Sequence, residues 1–489
     1  GRTVPRFKRA VMGCTALAPG MMAGERARFI EENLPAGLFR VADGGEERVA
    51  WRIAPEPFAL SPATASALET LGDDLLAFYR ALNALYTRSV RSTAPTFIAE
   101  YLDQGKPDHV IKLARQNRFR SDLVGVIRPD LILTDDGFVA TELDSLPGGM
   151  GFVGAMAEQY CRIGIESLGG AAGMHEGLAS LFTGLAGHPH PVAAIVVSEE
   201  SADYRAELTW IAQRITASSI ATVYCVGPQD IVFTEQALFV RLPDGREEKI
   251  DVMYRNFEMF DLLNVPKWEL MFYAARKNRV HITPPPKAQL EEKLAFALLH
   301  HPLLEDLWRG ELNAAAFDRL RRLMPQTWIL DPRPLPPQAV IHSLTVAGRP
   351  VNDWEALTKL GKSERDLVVK PSGFSELAWG ARGVKIASDL SREEWAAALH
   401  EALTSYSNTP YILQRFRKGR RVEVQWWDRT AGEIKTMDGR VRLSPYYFSA
   451  NGHAKLGGVL ATVAPADKRL IHGMRDAVMA PCAVREGGA

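Results

Sequence analysis

Apolar residues recur at helical spacing through residues 60–120, where Leu68, Leu71, Leu75, Leu76, Phe78, Tyr79 and Leu82 share one face. That period predicts an amphipathic helical layer. The pattern then changes. Leu131 to Leu133 and Phe138 to Ala140 are short strand-like runs on either side of Asp135-Asp136-Gly137, the signature of a β-hairpin. An apolar helix-like run follows from Phe152 to Ile165, opening behind Pro147-Gly148-Gly149-Met150-Gly151. A helix start behind such a turn is a natural place for an anion.

At Gly187-His-Pro-His-Pro191 the composition shifts, and strand and helix begin to alternate. Val192 to Val197 is a buried strand, Tyr204 to Ile215 a helix and Ala221 to Val226 a second strand. Phe233 to Arg241 and Ile250 to Tyr254 continue as strands around Pro243-Asp244-Gly245. This is an α/β unit of about a hundred residues. Beyond the stiff connector Thr283-Pro-Pro-Pro286, helices are expected over Gln289 to His300 and Leu312 to Leu323. His300 and His301 close the first of these, where a cation suits the helix dipole. After the proline-rich link Asp331 to Pro337 come a strand at Leu367 to Val369 and a helix at Arg392 to Leu403. Further strands follow at Tyr411 to Arg415, Arg421 to Trp427 and Gly439 to Leu443. The expected class is α+β with mixed α/β character, in three stretches: 1–186, 187–282 and 283–489.

Composition narrows the function classes. The chain has 489 residues, 46% of them hydrophobic and 24% charged, with a formal net charge of zero. No global field attracts nucleic acid or anionic lipid, so any anionic ligand must be held by local arginines and lysines. No apolar run reaches the ~20 residues a membrane helix needs. Arg2 to Ala23 has basic residues followed by small apolar ones, but the stretch is short and broken by Pro19 and Gly20, and is not read as a signal peptide. Cys14, Cys161, Cys225 and Cys482 are far apart and form no CxxC pair. Neither a zinc site nor a disulfide framework is expected, and a cytoplasmic, reducing setting fits.

The candidate chemistry starts at the hairpin. Asp130 stands at its outer start, while Glu142 and Asp144 leave it one residue apart and so share a strand face. Three carboxylates together repel one another unless a cation sits among them, and oxygen ligands suit Mg²⁺ shared with phosphates. Alone, such a hairpin is an ordinary solvated turn. A second signal lies in Asp366-Leu-Val-Val-Lys370-Pro371, an apolar strand that delivers a lysine beside a loop with Ser372, Gly373, Ser375, Glu376, Gly380 and Gly383. Lysine and loop amides together can neutralise a triphosphate, although no Walker A motif is present. In a nucleotide site the strand Tyr411 to Gln414 can offer backbone groups to an adenine edge; by itself it reads as a core strand with a basic, solvated end.

The order of these parts resembles the ATP-grasp superfamily, in its glutathionylspermidine synthetase and eukaryotic-type glutathione synthetase branch, from about residue 120 onward. The resemblance is carried by Arg128-Pro-Asp130, Glu142-Leu-Asp144, Tyr254-Arg255, Lys293 in Gln289-Leu-Glu-Glu-Lys293, Lys370-Pro371, Tyr411 to Gln414, and Arg442 before Gly457-Gly-Val459. Asp144 stands where the family has asparagine, and Ser375-Glu376-Leu377 stands for the family's Arg-Glu-Gly. The family architecture implies a C-terminal ATP-grasp subdomain with an inserted α/β substrate or lid domain behind a helical N-terminal region. Residues 1–120 match nothing in the family.

The resemblance implies ATP and Mg²⁺ as cofactors and an ADP-forming joining of a small carboxylate to an amine. Asp130, Glu142, Asp144 and Glu376 are then the metal ligands. Lys293, Lys370, Ser372, Gly373, Gly380, Gly383 and Gln414 face the nucleotide, with Ser372 to Gly383 as lid. Arg128, Arg255 and Arg442 serve catalysis by gripping the carboxylate or the transferred phosphoryl group. The other reading is a degenerate ATP-grasp protein that binds nucleotide in a regulatory or scaffold role.

Overall fold

Ser61 caps the first long helix through its hydroxyl, and Pro62 at the first helical position supplies the φ that the turn needs. The result is α1 (Pro62–Val90), which buries Leu68, Leu71, Leu75, Leu76, Phe78, Tyr79 and Leu82 as their spacing predicts. In this computed structural model Cys14 and residues 20–38, 40–43, 46–471 and 475–489 are described. Most of the basic and small-residue stretch Arg2 to Ala23 lies outside them.

The acidic hairpin forms as β1 (Val126–Thr134) and β2 (Gly137–Asp144). After it come α2 (Met150–Arg162), β3 (Val192–Val197), α3 (Arg205–Ala217) and β4 (Thr222–Val226). β5 (Val252–Asn256) and β6 (His281–Thr283) complete a four-stranded parallel sheet in the order β6-β5-β3-β4. This is the alternating unit that the 187–282 pattern predicts. The single strand expected at Phe233 to Arg241 is instead two, Ile231–Phe233 and Leu238–Arg241, which pair with each other in a separate small sheet.

Later elements are α4 (Leu294–His300), β7 (Thr327–Ile329), β8 (Leu367–Pro371), β9 (Lys385–Ile386), α5 (Arg392–Thr404) and β10 (Tyr411–Arg415). β7, β10, β8 and β9 form an antiparallel sheet in that order. The chain ends in β11 (Arg421–Asp428), β12 (Glu433–Ala450), β13 (His453–Pro465) and β14 (Val478–Val484). These join the hairpin in one seven-stranded sheet, with β1 against β12 and the short strand Phe58–Leu60 against β14. Stretches 1–186 and 283–489 therefore share one sheet, and the boundary at 283 does not separate two bodies in space. Strand pairing between segments some three hundred residues apart leaves no local mark in a sequence.

Two further expectations change. Cys14 and Cys161 are joined in a disulfide, so the cysteine spacing no longer argues for a reducing setting. Burial pushes His300 down to about 4, so it is neutral at the end of α4 rather than a cation serving the dipole. No helix among the described residues is long and apolar enough to cross a membrane.

Candidate active site

Register builds the site. Across the β1–β2 ladder Arg128 lies opposite Asp144 and Asp130 opposite Glu142. Opposite residues of an antiparallel pair point to the same side, so one face carries all four charges. The register shifts between Asp130 and Leu131, leaving Thr141 as the extra residue of a bulge. Its carbonyl accepts from Lys370 Nζ at 2.8 Å. The bulge thus re-aims the carboxylates and also receives the lysine delivered by the second sheet.

The sequence-picked residues converge. Lys293 Nζ lies 3.1 Å from Glu142 Oε1. Arg442 Nη1 is 3.3 Å from Asp130 Oδ2, and the Ser444 hydroxyl donates to Asp130 Oδ1 at 3.0 Å. Arg128 bridges two acids, with Nε 3.2 Å from Asp130 Oδ1 and Nη2 3.3 Å from Asp144 Oδ2. Burial opposes the charge on Asp130, but Arg128 and Arg442 outweigh it and hold the carboxyl below its ordinary value. Asp144 goes the other way: burial, with Glu142 and Asp130 nearby, raises it despite Arg128.

Lys293 is not on a helix as expected. It sits between a 3-10 turn (Ala288–Glu291) and α4, because Glu292 is extended at φ −107° and ψ 125°. Gln414 accepts from Lys370 Nζ at 2.8 Å and donates to the Thr327 hydroxyl at 3.1 Å, so its amide aims the lysine. Its strand β10 is paired on both sides, by β7 and by β8. The backbone of Tyr411 to Gln414 is therefore committed to the sheet, and just beyond it the Phe416 amide still donates to the Asp366 carbonyl at 2.8 Å.

Other picks lie differently. Arg255 is fully buried: its guanidinium donates to the carbonyls of Pro284, Phe257 and Pro285 and pairs with Glu291. The Ser372 hydroxyl and Gly373 amide both donate to Glu292. Gly383 donates to the Leu377 carbonyl, Gly380 lies within the 3-10 turn Glu376–Ala381, and Glu376 is exposed there. The helix start expected to receive an anion is already filled. Glu207, from α3, accepts from the Gly149 and Phe152 amides at 2.7 and 3.1 Å, and Gly149 reaches this cap with a φ of 95°. Burial pushes Glu207 up to about 7, against the pull of those amides.

Sequence reasoning missed Glu207, Glu258, Glu291 and Glu292. Burial, reinforced by Glu291 and Asp144, pushes Glu258 up to about 8. The one available signal was two adjacent acids at the head of the otherwise apolar run Leu294 to Leu299.

The cleft between the two sheets is lined by Asp130, Glu142, Val368, Lys370, Ile386 and Phe416, among others, and holds about 90 Å³. Small-molecule pockets hold roughly 300 Å³ or more, so this one must widen to admit a nucleotide. Among the described residues no three Asp, Glu, His or Cys side chains converge to hold a metal by themselves. Each expected ligand on the hairpin faces a protein cation instead: Asp130 faces Arg128 and Arg442, Asp144 faces Arg128, and Glu142 faces Lys293. The donor set still fits Mg²⁺ and phosphate. The acids offer oxygen only, and Arg442 Nε is buried without a hydrogen-bond partner.

Arg128→Lys is expected to be far from neutral. A point charge cannot span Asp130 and Asp144 as the fork does. Any catalytic turnover should fall about a hundredfold, measured against a far-ultraviolet spectrum that remains unchanged.

No protein-family model matches this chain, and no curated protein matches it significantly. Among solved structures it is similar to a glutathione synthetase-like effector from Globodera pallida in its apo form. Identity is 12%, the TM-score is 0.56, and the match covers 95% of this chain and 95% of that one. A chain provisionally named a gamma-glutamylcysteine synthetase, from Methylobacillus flagellatus, matches at a TM-score of 0.39 and 10% identity over 83% of this chain and 86% of its own. The second likeness is too loose to build on. The first gives a glutathione-synthetase-like fold.

Proposed function

We propose that this chain, on its glutathione-synthetase-like fold, is an ATP- and magnesium-dependent ligase that joins a small carboxylate to an amine. One convergence supports the reading: lysines from two later segments meet the acidic hairpin, Lys293 at 3.1 Å from Glu142 and Lys370 at 2.8 Å from the Thr141 carbonyl. Asp130, Glu142 and Asp144 are the residues that would hold magnesium, which supplies charge neutralisation along the phosphates when bound. Lys293 and Lys370 give the triphosphate two ammonium groups, and Gln414 aims the second of them. Val368, Ile386 and Phe416 offer apolar walls to a base. Arg128 and Arg442 present guanidinium donors where a substrate carboxylate would meet the γ-phosphorus. Attack there gives an acyl phosphate and ADP; an amine then displaces phosphate to form an amide. Positioning and charge account for most of such a rate.

The pairing of Asp130, Glu142 and Asp144 each with a protein cation favours a second reading, in which nucleotide is bound but not turned over. Two measurements separate them. Thermal shifts with ATP, with and without Mg²⁺, test binding, and phosphate release over a panel of carboxylates and amines tests turnover. A magnesium-dependent shift with release is the expected result; absence of any ATP-induced shift sinks both readings.

Lys370 adds a pH dependence. Burial, with Lys293 nearby, lowers it to about 8, against the smaller opposing pull of Glu142 and Asp130. The ammonium form, which a triphosphate needs, is full below that pH and is lost above it. ATP affinity is therefore expected to fall as pH rises through about 8. Titration calorimetry across that range should show the fall in the parent protein and not in Lys370→Met, which binds weakly throughout.

A further inference from the structure

Three consecutive side chains between β6 and α4 reach three different parts of the molecule. Glu291 pairs with Arg255 of β5. Lys293 reaches Glu142 of the hairpin. Glu292 turns the opposite way, into the protein, where its side chain is 0% exposed. Its Oε2 accepts from Lys106 Nζ at 2.6 Å and from the Ser372 hydroxyl at 2.6 Å. Its Oε1 accepts from the Gly373 amide at 3.1 Å and the Leu294 amide at 3.4 Å. Lys106, 2% exposed, donates also to the Leu102 carbonyl at 2.6 Å.

A buried ion pair contributes little net stability compared with apolar residues of similar size, and its best-attested use is to fix one arrangement. Here the arrangement fixed is the root of the loop Ser372 to Gly383 beside the backbone that carries Lys293. The approach is close enough that a Cβ on Gly373 would lie 2.0 Å from the Glu291 carbonyl oxygen. Only glycine fits. The same contacts hold Glu292 extended, which is why Lys293 falls outside a helix and can reach the hairpin.

We propose that Glu292, with Lys106 as its counterion, is the positioning residue that anchors the nucleotide-side loop to Lys293. The Ser372 hydroxyl and the Gly373 amide serve this anchor and do not contact the nucleotide. The catalytic meaning of the anchor rests on the ligase reading, whereas the anchor itself can be read without any nucleotide.

The test uses the full chain and the mild variant Ser372→Ala, which removes one bond and leaves the Lys106–Glu292 pair intact. Hydrogen–deuterium exchange in nucleotide-free protein is expected to speed up about tenfold over residues 372–386, and not in β11 or β12. Unchanged exchange there overturns the anchor. Calorimetry with Mg-ATP should give a Kd within about twofold of the parent's, because the hydroxyl touches no phosphate. A Kd raised about tenfold would show that Ser372 is a nucleotide ligand and overturn that part of the proposal. Glu292→Gln, if it folds, should extend the faster exchange to the segment carrying Lys293; if that segment stays protected, Glu292 does not position it. Failure of the parent protein to bind Mg-ATP would strike both nucleotide readings and leave the anchor itself standing.

Discussion

Glu142→Ala should abolish ATP turnover, at a smaller cost in stability than Asp130→Ala. Glu142 leaves β2 at the mouth of the cleft with 35% of its side chain exposed, and it pairs with Lys293. Removing it takes away the proposed oxygen ligand and leaves the Lys293 side chain, only 9% exposed, without its ion pair. The structural loss is then larger than for an exposed pair but smaller than at Asp130, because Glu142 itself is partly exposed. The functional loss is not small. A charged group placed where charge is transferred contributes about a hundredfold or more to rate. Phosphate release measured beside a denaturant titration checks both halves. Asp144→Ala, on the same strand face, is expected to behave alike. Full turnover in either variant would remove the hairpin from the proposed metal site.

Asp130→Ala should instead unfold readily. Its side chain is 7% exposed, and Arg128 and Arg442 both lie against it. Truncation leaves two guanidinium groups facing one another in a part of the cleft from which water is largely excluded. Breaking a buried pair by removing one partner costs about 3–5 kcal/mol. Asp130→Asn keeps the shape and the Ser444 contact but loses the charge, so an intermediate loss is expected. Urea titrations of the two variants, compared with Glu142→Ala, read the difference directly. If Asp130→Ala were as stable as Glu142→Ala, the pairing described at Asp130 would be wrong. The two acids are register partners, one rung of one ladder, and differ chiefly in depth.

That difference could not be seen in the chain. The spacing Glu142-Leu-Asp144 places two acids on one face, and the hairpin turn sets Asp130 near them. Both follow from the period of a strand. How deeply each is buried depends on β12, which lies against β1 and brings Arg442 and Ser444 from three hundred residues away. The glycine-rich loop shows the same limit from the other side. Its composition suits phosphate contact, yet Ser372 and Gly373 spend their donors on Glu292. Arg255 looks like a free cation in Tyr254-Arg255 and is instead enclosed by three carbonyls and a carboxylate. The helix start after Gly149 looks ready for an anion and already holds Glu207.

What the sequence determined by itself was local: α1 from its apolar stripe, the acidic hairpin, the alternating unit beyond residue 187, and the strand that ends in Lys370. Periodicity, caps and turns act over a few residues, so they are written where they act. Only the tertiary structure decided which charges are paired, which donors remain free, and that the two ends of the chain share one sheet. Those outcomes depend on what lies across a contact, and a buried donor or charge takes whichever partner the fold brings within reach.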